Sequence, residues 1–117
     1  MADIKMLSSR FIATTTFGVM LFNLPPAPAT AQEAGLELGK KVFLELSGPR
    51  CAQCHTLADA RAEGKVGPIL DELKPDAETV KTAVVKGIGA MPSYEDLTAE
   101  QVDAVALYVS TVAKKAK

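Results

Sequence analysis

The chain has one histidine, two cysteines, no tryptophan and only 5% aromatic residues among its 117. Each scarcity excludes something. A bridge between Cys51 and Cys54 would close too small a loop to restrain the unfolded chain, so disulfides do not brace this fold. One histidine and two cysteines also fall short of the four ligands of structural zinc, unless carboxylates or a second chain complete the shell. The charge is nearly balanced, with 13 Lys and Arg against 14 Asp and Glu, and both signs are scattered along the chain. The absence of a basic face argues against nucleic acid as a partner, and steering towards a protein partner should be mild. Residues 32–117 carry no alternating strand pattern, no repeat and no low-complexity segment.

The N-terminal segment reads differently from the rest. Lys5 and Arg10 lead into an apolar stretch from Phe11 to Leu24, then Pro25-Pro26, then Ala27-Pro28-Ala29-Thr30-Ala31. That order predicts a secretory signal peptide over residues 1–31, cleaved after Ala31 or after Ala29. The apolar stretch is shorter than the ~20 residues of a spanning helix and is interrupted by Thr14, Thr15, Thr16 and Gly18. An uncleaved anchor is the alternative, but no cysteine follows to take a lipid, and no stable membrane anchor is expected. Residues 32–117 then form a single domain exported to an oxidising compartment, the periplasm. A domain this small buries a modest share of its surface and needs a staple other than a disulfide.

The stretch Pro49-Arg50-Cys51-Ala52-Gln53-Cys54-His55-Thr56-Leu57 holds both cysteines and the histidine. Structural zinc lacks ligands here, as noted above. A thioredoxin-like redox pair needs a βαβ context that the flanking residues do not supply. Two merely structural cysteines leave the adjacent His55 unexplained. The remaining reading is covalent haem c, in which both thiols become thioethers and the next residue binds the iron. Export, the missing staple and the shortage of zinc ligands all favour one covalently attached haem c, with Cys51, Cys54 and His55 as its residues.

A second axial ligand has few sources. Met1, Met6 and Met20 belong to the leader, which leaves Met91 as the one methionine of residues 32–117. It lies in Lys86-Gly87-Ile88-Gly89-Ala90-Met91-Pro92-Ser93-Tyr94, where glycines let the backbone turn closely and Pro92 stiffens the chain beyond the sulfur. Filling a gap in the core is the common role of a methionine. Because Met/His pairing is a standard way to hold c-type haem and no other ligand is on offer, axial ligation of the iron by Met91 is the favoured reading.

The other segments predict helices. Ala34 to Leu46 places Leu38, Val42, Phe43 and Leu46 on one face, with Gly39 allowing a close helix crossing, and Ser47-Gly48-Pro49 breaks the run. Gly64 to Pro68 reads as a loop, followed by a short helical turn over Ile69 to Lys74. Asp76 should cap a helix with Thr79, Val80, Ala83 and Val84 on one face, ending at Gly87. Thr98-Ala99-Glu100-Gln101 is a capping-box pattern opening a last helix that carries Val102, Val105, Ala106, Val109 and Val112 inward. The expected architecture is all-α: about four short helices wrapped around the haem.

Helix, CxxCH, Gly-Pro loop, helix, Met-Pro loop and C-terminal helix follow one another here as in the small monohaem class I c-type cytochromes, which the chain resembles over nearly all of residues 32–117. The resemblance implies that Cys51 and Cys54 are the thioether sites, His55 the proximal ligand and Met91 the distal one. It also implies that the Pro68 carbonyl accepts the imidazole N–H, a contact that would orient the ring. Gly39 and Phe43 resemble the positions that pack against an aromatic of the C-terminal helix, here Tyr108, which could equally be an ordinary half-buried tyrosine. The chain departs from the mitochondrial members in lacking tryptophan and in the short stretch before Met91, so the residues holding the propionates are not implied. Residues 63–68, 73–76 and 89–94 are similar to bacterial cytochromes that serve molybdenum sulfite dehydrogenases as subunit or electron acceptor.

The implied role is one-electron carriage between redox proteins, with a sulfite dehydrogenase as donor and a terminal oxidase or another cytochrome as acceptor. With both axial positions filled and no second histidine to act as a base, an enzyme is not expected. Ala52 and the Ile88 to Pro92 loop are candidates for the partner contact, or they simply cover the haem. A general periplasmic carrier, a gas sensor or weak peroxidase with a labile Met91, and a disulfide oxidoreductase remain as alternatives.

Overall fold

The computed structural model describes residues 24–115. Most of the expected leader lies outside them, and residues 24–30 run exposed without helix or strand. Helix α1 (Ala31–Lys41) starts at Ala31, one residue inside the expected leader boundary. Its cap explains why. Thr30 Oγ1 accepts from the Glu33 N–H at 3.3 Å while the Glu33 carboxylate accepts from the Thr30 N–H at 2.8 Å, so two otherwise orphaned donors are satisfied reciprocally.

The helix expected to run on to Leu46 instead widens into a π-helical turn over Val42–Leu46, closed by the Ser47 N–H on the Val42 carbonyl at 3.3 Å. Val42 and Phe43 are buried, but the wider turn carries Leu46 off the buried face and leaves it 42% exposed. A short helix α2 (Cys51–Cys54), two-residue strands β1 (Thr56–Leu57) and β2 (Ala62–Glu63), and helices α3 (Leu70–Leu73), α4 (Ala77–Lys86) and α5 (Ala99–Lys115) follow. The strands pair antiparallel, Thr56 with Glu63 and Leu57 with Ala62, around a 3-10 turn at Ala58–Ala60. The fold is thus mostly helical, as expected, with one small hairpin added. Two-residue strands are too short to produce a readable alternation, and α2 is too short to produce a helical period. No helix among the described residues is long and apolar enough to cross a membrane.

Local chemistry sets the remaining boundaries. Asp76 Oδ1 accepts from the Thr79 N–H at 2.7 Å to start α4, and Gly87 ends it at φ 69°. Thr98 and Gln101 exchange side-chain and backbone bonds at the start of α5. Helix α5 is the axis of the domain, packing against both α1 and α4. Serving two neighbours, it buries Ala104, Tyr108, Ser110 and Ala113 beyond the single stripe that a one-sided helix would need.

Where the Val42–Leu46 turn meets α5, the Phe43 and Tyr108 rings lie edge to face with centroids 6.2 Å apart. Tyr108 is 2% exposed, so it is the core aromatic of α5 rather than a half-buried tyrosine. Its hydroxyl donates to Asp59 Oδ2 at 2.6 Å, and Lys40 Nζ reaches the same oxygen at 3.2 Å. The Tyr108 bond above all, and then Lys40, hold the Asp59 carboxyl below the usual carboxylate range. A carboxylate whose folded pKa is depressed stabilises the fold above its unfolded pKa and loses that contribution as pH falls through the folded value. The margin by which the native protein exceeds Asp59→Asn in denaturant stability should therefore be constant near neutrality and vanish on acidification from about pH 4 downward. The side chain is 45% exposed, so solvent screening keeps this margin small. A margin that does not change with pH in urea titrations would contradict the assignment.

Candidate haem site

The five residues singled out in the sequence, Cys51, Cys54, His55, Pro68 and Met91, line one cavity of about 320 Å³. The α4 face brings Thr79, Val80, Ala83 and Val84 to its wall, α5 brings Val105 and Val109, and Phe43 closes it towards the core. No charged side chain lines it among the described residues. Most sites for small molecules and cofactors share this form, an apolar concavity with a few convergent polar atoms.

The cysteine wall is built by α2. The Ser47 hydroxyl accepts from the Cys51 N–H at 3.3 Å, and the Gln53 amide oxygen accepts from the Arg50 N–H at 3.1 Å. One turn of helix places Cys51 and Cys54 on the same side, and they are not joined as a disulfide. Burial pushes the Cys51 thiol above its ordinary value, opposed by the hydrogen bond from Ser47.

His55 follows at the end of that turn, where the chain becomes extended. The Pro68 carbonyl lies 2.9 Å from His55 Nδ1. A carbonyl can only accept, so Nδ1 carries the proton and Nε2 keeps the lone pair that a metal would take. The loop before Pro68 is drawn against this segment by the Gly67 N–H on the Cys54 carbonyl at 2.7 Å and the Gly64 N–H on the His55 carbonyl at 3.3 Å. A Cβ at Gly67 would sit 2.6 Å from His55 Cε1 and 2.8 Å from Nδ1, so only glycine leaves the ring this place.

Met91 enters from the opposite end of the chain on a tight turn. Ile88 and Met91 exchange backbone bonds of 3.1 and 2.9 Å across Gly89-Ala90, with Gly89 at φ 57°. Tyr94, three residues on, lines the same cavity and was not singled out in the sequence. Its hydroxyl donates to the Pro49 carbonyl at 2.8 Å, and burial first, then Cys51 and Cys54, push its pKa up to about 12. No local motif announces that contact, because it joins positions 45 apart in sequence.

Two thiols, an imidazole nitrogen with its tautomer set and a thioether sulfur on one apolar cavity fit haem c, whose macrocycle needs apolar walls and whose iron takes nitrogen and sulfur ligands.

Comparisons with known proteins agree with this chemistry. The family described as cytochrome C oxidase, cbb3-type, subunit III matches residues 34–109. Cytochrome c6 from Gloeothece citriformis (strain PCC 7424) is 33% identical over 116 residues, covering 95% of this chain and 96% of that protein. Cytochrome c6 from Microcystis aeruginosa is 37% identical over 70 residues, covering 56% of this chain and 86% of that one. Among solved structures, the crystal structure of the c-type cytochrome SorU from Sinorhizobium meliloti is similar with a TM-score of 0.69 and 68% identity, covering 69% of this chain and 93% of that chain. The chain therefore belongs to the cytochrome c family: it holds one haem c and its iron covalently, and it is an electron-transfer protein rather than an enzyme.

Proposed function

We propose that this cytochrome is a periplasmic one-electron carrier that takes electrons from a sulfite dehydrogenase and passes them to a terminal oxidase or another cytochrome. Cys51 and Cys54 would hold the haem as thioethers, and His55 Nε2 and the Met91 sulfur would ligate its iron. The observation that carries this reading is that both thiols, the imidazole and the thioether border one apolar cavity. When bound, the haem supplies a one-electron couple between ferric and ferrous iron. The chain's own residues do the rest. Pro68 fixes the direction of the His55 ring, and the α4 and α5 side chains exclude water. With His55 and Met91 both ligating it, the iron would have no open position for a substrate.

Residues 1–31 act as a signal peptide, cleaved after Ala31 or after Ala29; the second site would retain Thr30, which caps α1. The choice of donor rests on the likeness of residues 63–68, 73–76 and 89–94 to cytochromes of sulfite dehydrogenases, alongside 68% identity to the c-type cytochrome SorU. Mixing the oxidised holoprotein with periplasmic extract of the source organism should give fast haem reduction only when sulfite is added, read as visible absorbance. Reduction that proceeds equally without sulfite would leave a general carrier and remove the sulfite-linked role.

A further inference from the structure

From Gly87 to Leu97 no residue is fully buried, and Ile88 is 63% exposed. The turn that carries Met91 closes on itself through the Ile88–Met91 backbone pair, which sets its local shape but not its position against the rest of the domain. Among the described residues, the hydrogen bonds that leave residues 88–97 for elements before Gly87 both come from Tyr94. Its N–H donates to the Val84 carbonyl on α4 at 2.9 Å, and its hydroxyl donates to the Pro49 carbonyl at 2.8 Å. Pro49 stands two residues before Cys51. One side chain thus spans from the distal loop to the wall that carries the thiols.

We propose that Tyr94 is the positioning residue of the distal side: its hydroxyl, latched on the Pro49 carbonyl, holds the Met91 loop closed and so limits how often Met91 leaves the iron. This rests on the reading that Met91 ligates the iron. His55 stays in place whatever the loop does, since the adjoining Cys51 and Cys54 hold the haem covalently. The distal bond alone depends on a surface loop, and the loop depends on Tyr94. The ring of Tyr94 also packs against the core, a contact that phenylalanine keeps, so Tyr94→Phe removes the latch and little else.

The test is the rate at which imidazole enters the ferric holoprotein, followed by stopped-flow absorbance in native, Tyr94→Phe and Met91→Ala proteins. Loss of one neutral hydrogen bond should raise the population of the open loop, and the entry rate with it, about fivefold in Tyr94→Phe. The visible band of thioether-bound ferric haem should persist in that variant, and the reduction potential should shift downward. Entry into the native protein as fast as into Met91→Ala would overturn the ligand assignment itself, and the latch with it. Slow entry into the native protein, matched by equally slow entry into Tyr94→Phe, would overturn the latch and leave Met91 as ligand. If Tyr94→Phe lowers the melting midpoint while the entry rate and potential stay native, Tyr94 is a packing residue and the proposal fails.

Discussion

Met91→Ala should open the iron to imidazole or cyanide and lower the reduction potential of the holoprotein by an amount on the order of 0.1 V, out of the about 0.8 V that axial ligation spans. A thioether is a weak, neutral donor that favours ferrous iron, so its loss favours the ferric state. The fold itself should tolerate the change. The bonds that shape the turn, between Ile88 and Met91, are backbone bonds and survive truncation of the side chain. His55 keeps its bond to the Pro68 carbonyl, since the proximal loop makes no use of Met91. The expected result is a correctly folded cytochrome with an altered potential and a new ligand-binding spectrum, measured by redox titration and by cyanide titration in visible light. A potential within error of the native value would remove Met91 from the iron, and a core role for its side chain would then be the simpler account.

Much of this site was legible because its chemistry is written in short range. Cys51, Cys54 and His55 lie within five positions, and Met91, singled out by elimination among few candidate ligands, borders the same cavity. Asp76, Gly87 and Thr98 mark helix ends through bonds spanning one turn, so those boundaries agree with the structure. What escaped depends on distance in sequence or on elements too short to have a period. Tyr94 meets Pro49 across 45 residues, and Tyr108 meets Asp59 across 49. Neither Tyr94 nor Asp59 has a neighbour in sequence that would single it out. The β1–β2 hairpin has two residues per strand, and its role is to return the chain so that Gly64 and Gly67 lie against the Cys54-His55 backbone. The π-helical turn at Val42–Leu46 follows no compositional signal; it shows only in Leu46, a leucine at a helical spacing that the fold leaves outside.

Gly39→Ala should destabilise the domain by about 3 kcal/mol or more, a large part of the roughly 5–15 kcal/mol that holds a domain together. Alanine is the better helix former by about 1 kcal/mol, so propensity alone predicts the opposite sign. Geometry decides the matter. A Cβ at Gly39 would lie 2.1 Å from the Ala104 carbonyl oxygen, 2.7 Å from its carbon and 2.5 Å from Tyr108 Cβ. Backbone atoms of α5 cannot rotate aside, so the two helices must move apart. Phe43 and Tyr108 would then lose their edge contact, and the Phe43, Val105 and Val109 wall of the cavity would shift with them. Gly35→Ala, one turn earlier on α1, is the matched control: its Cβ meets only Leu107 Cδ2, at 3.0 Å, the end of a side chain that can turn away. Thermal unfolding of the holoproteins followed by circular dichroism should show a midpoint lowered by on the order of 10 °C or more for Gly39→Ala, with Gly35→Ala close to native. Equal midpoints for the two variants would mean that the α1–α5 crossing is not set by Gly39, and that the haem wall does not depend on it.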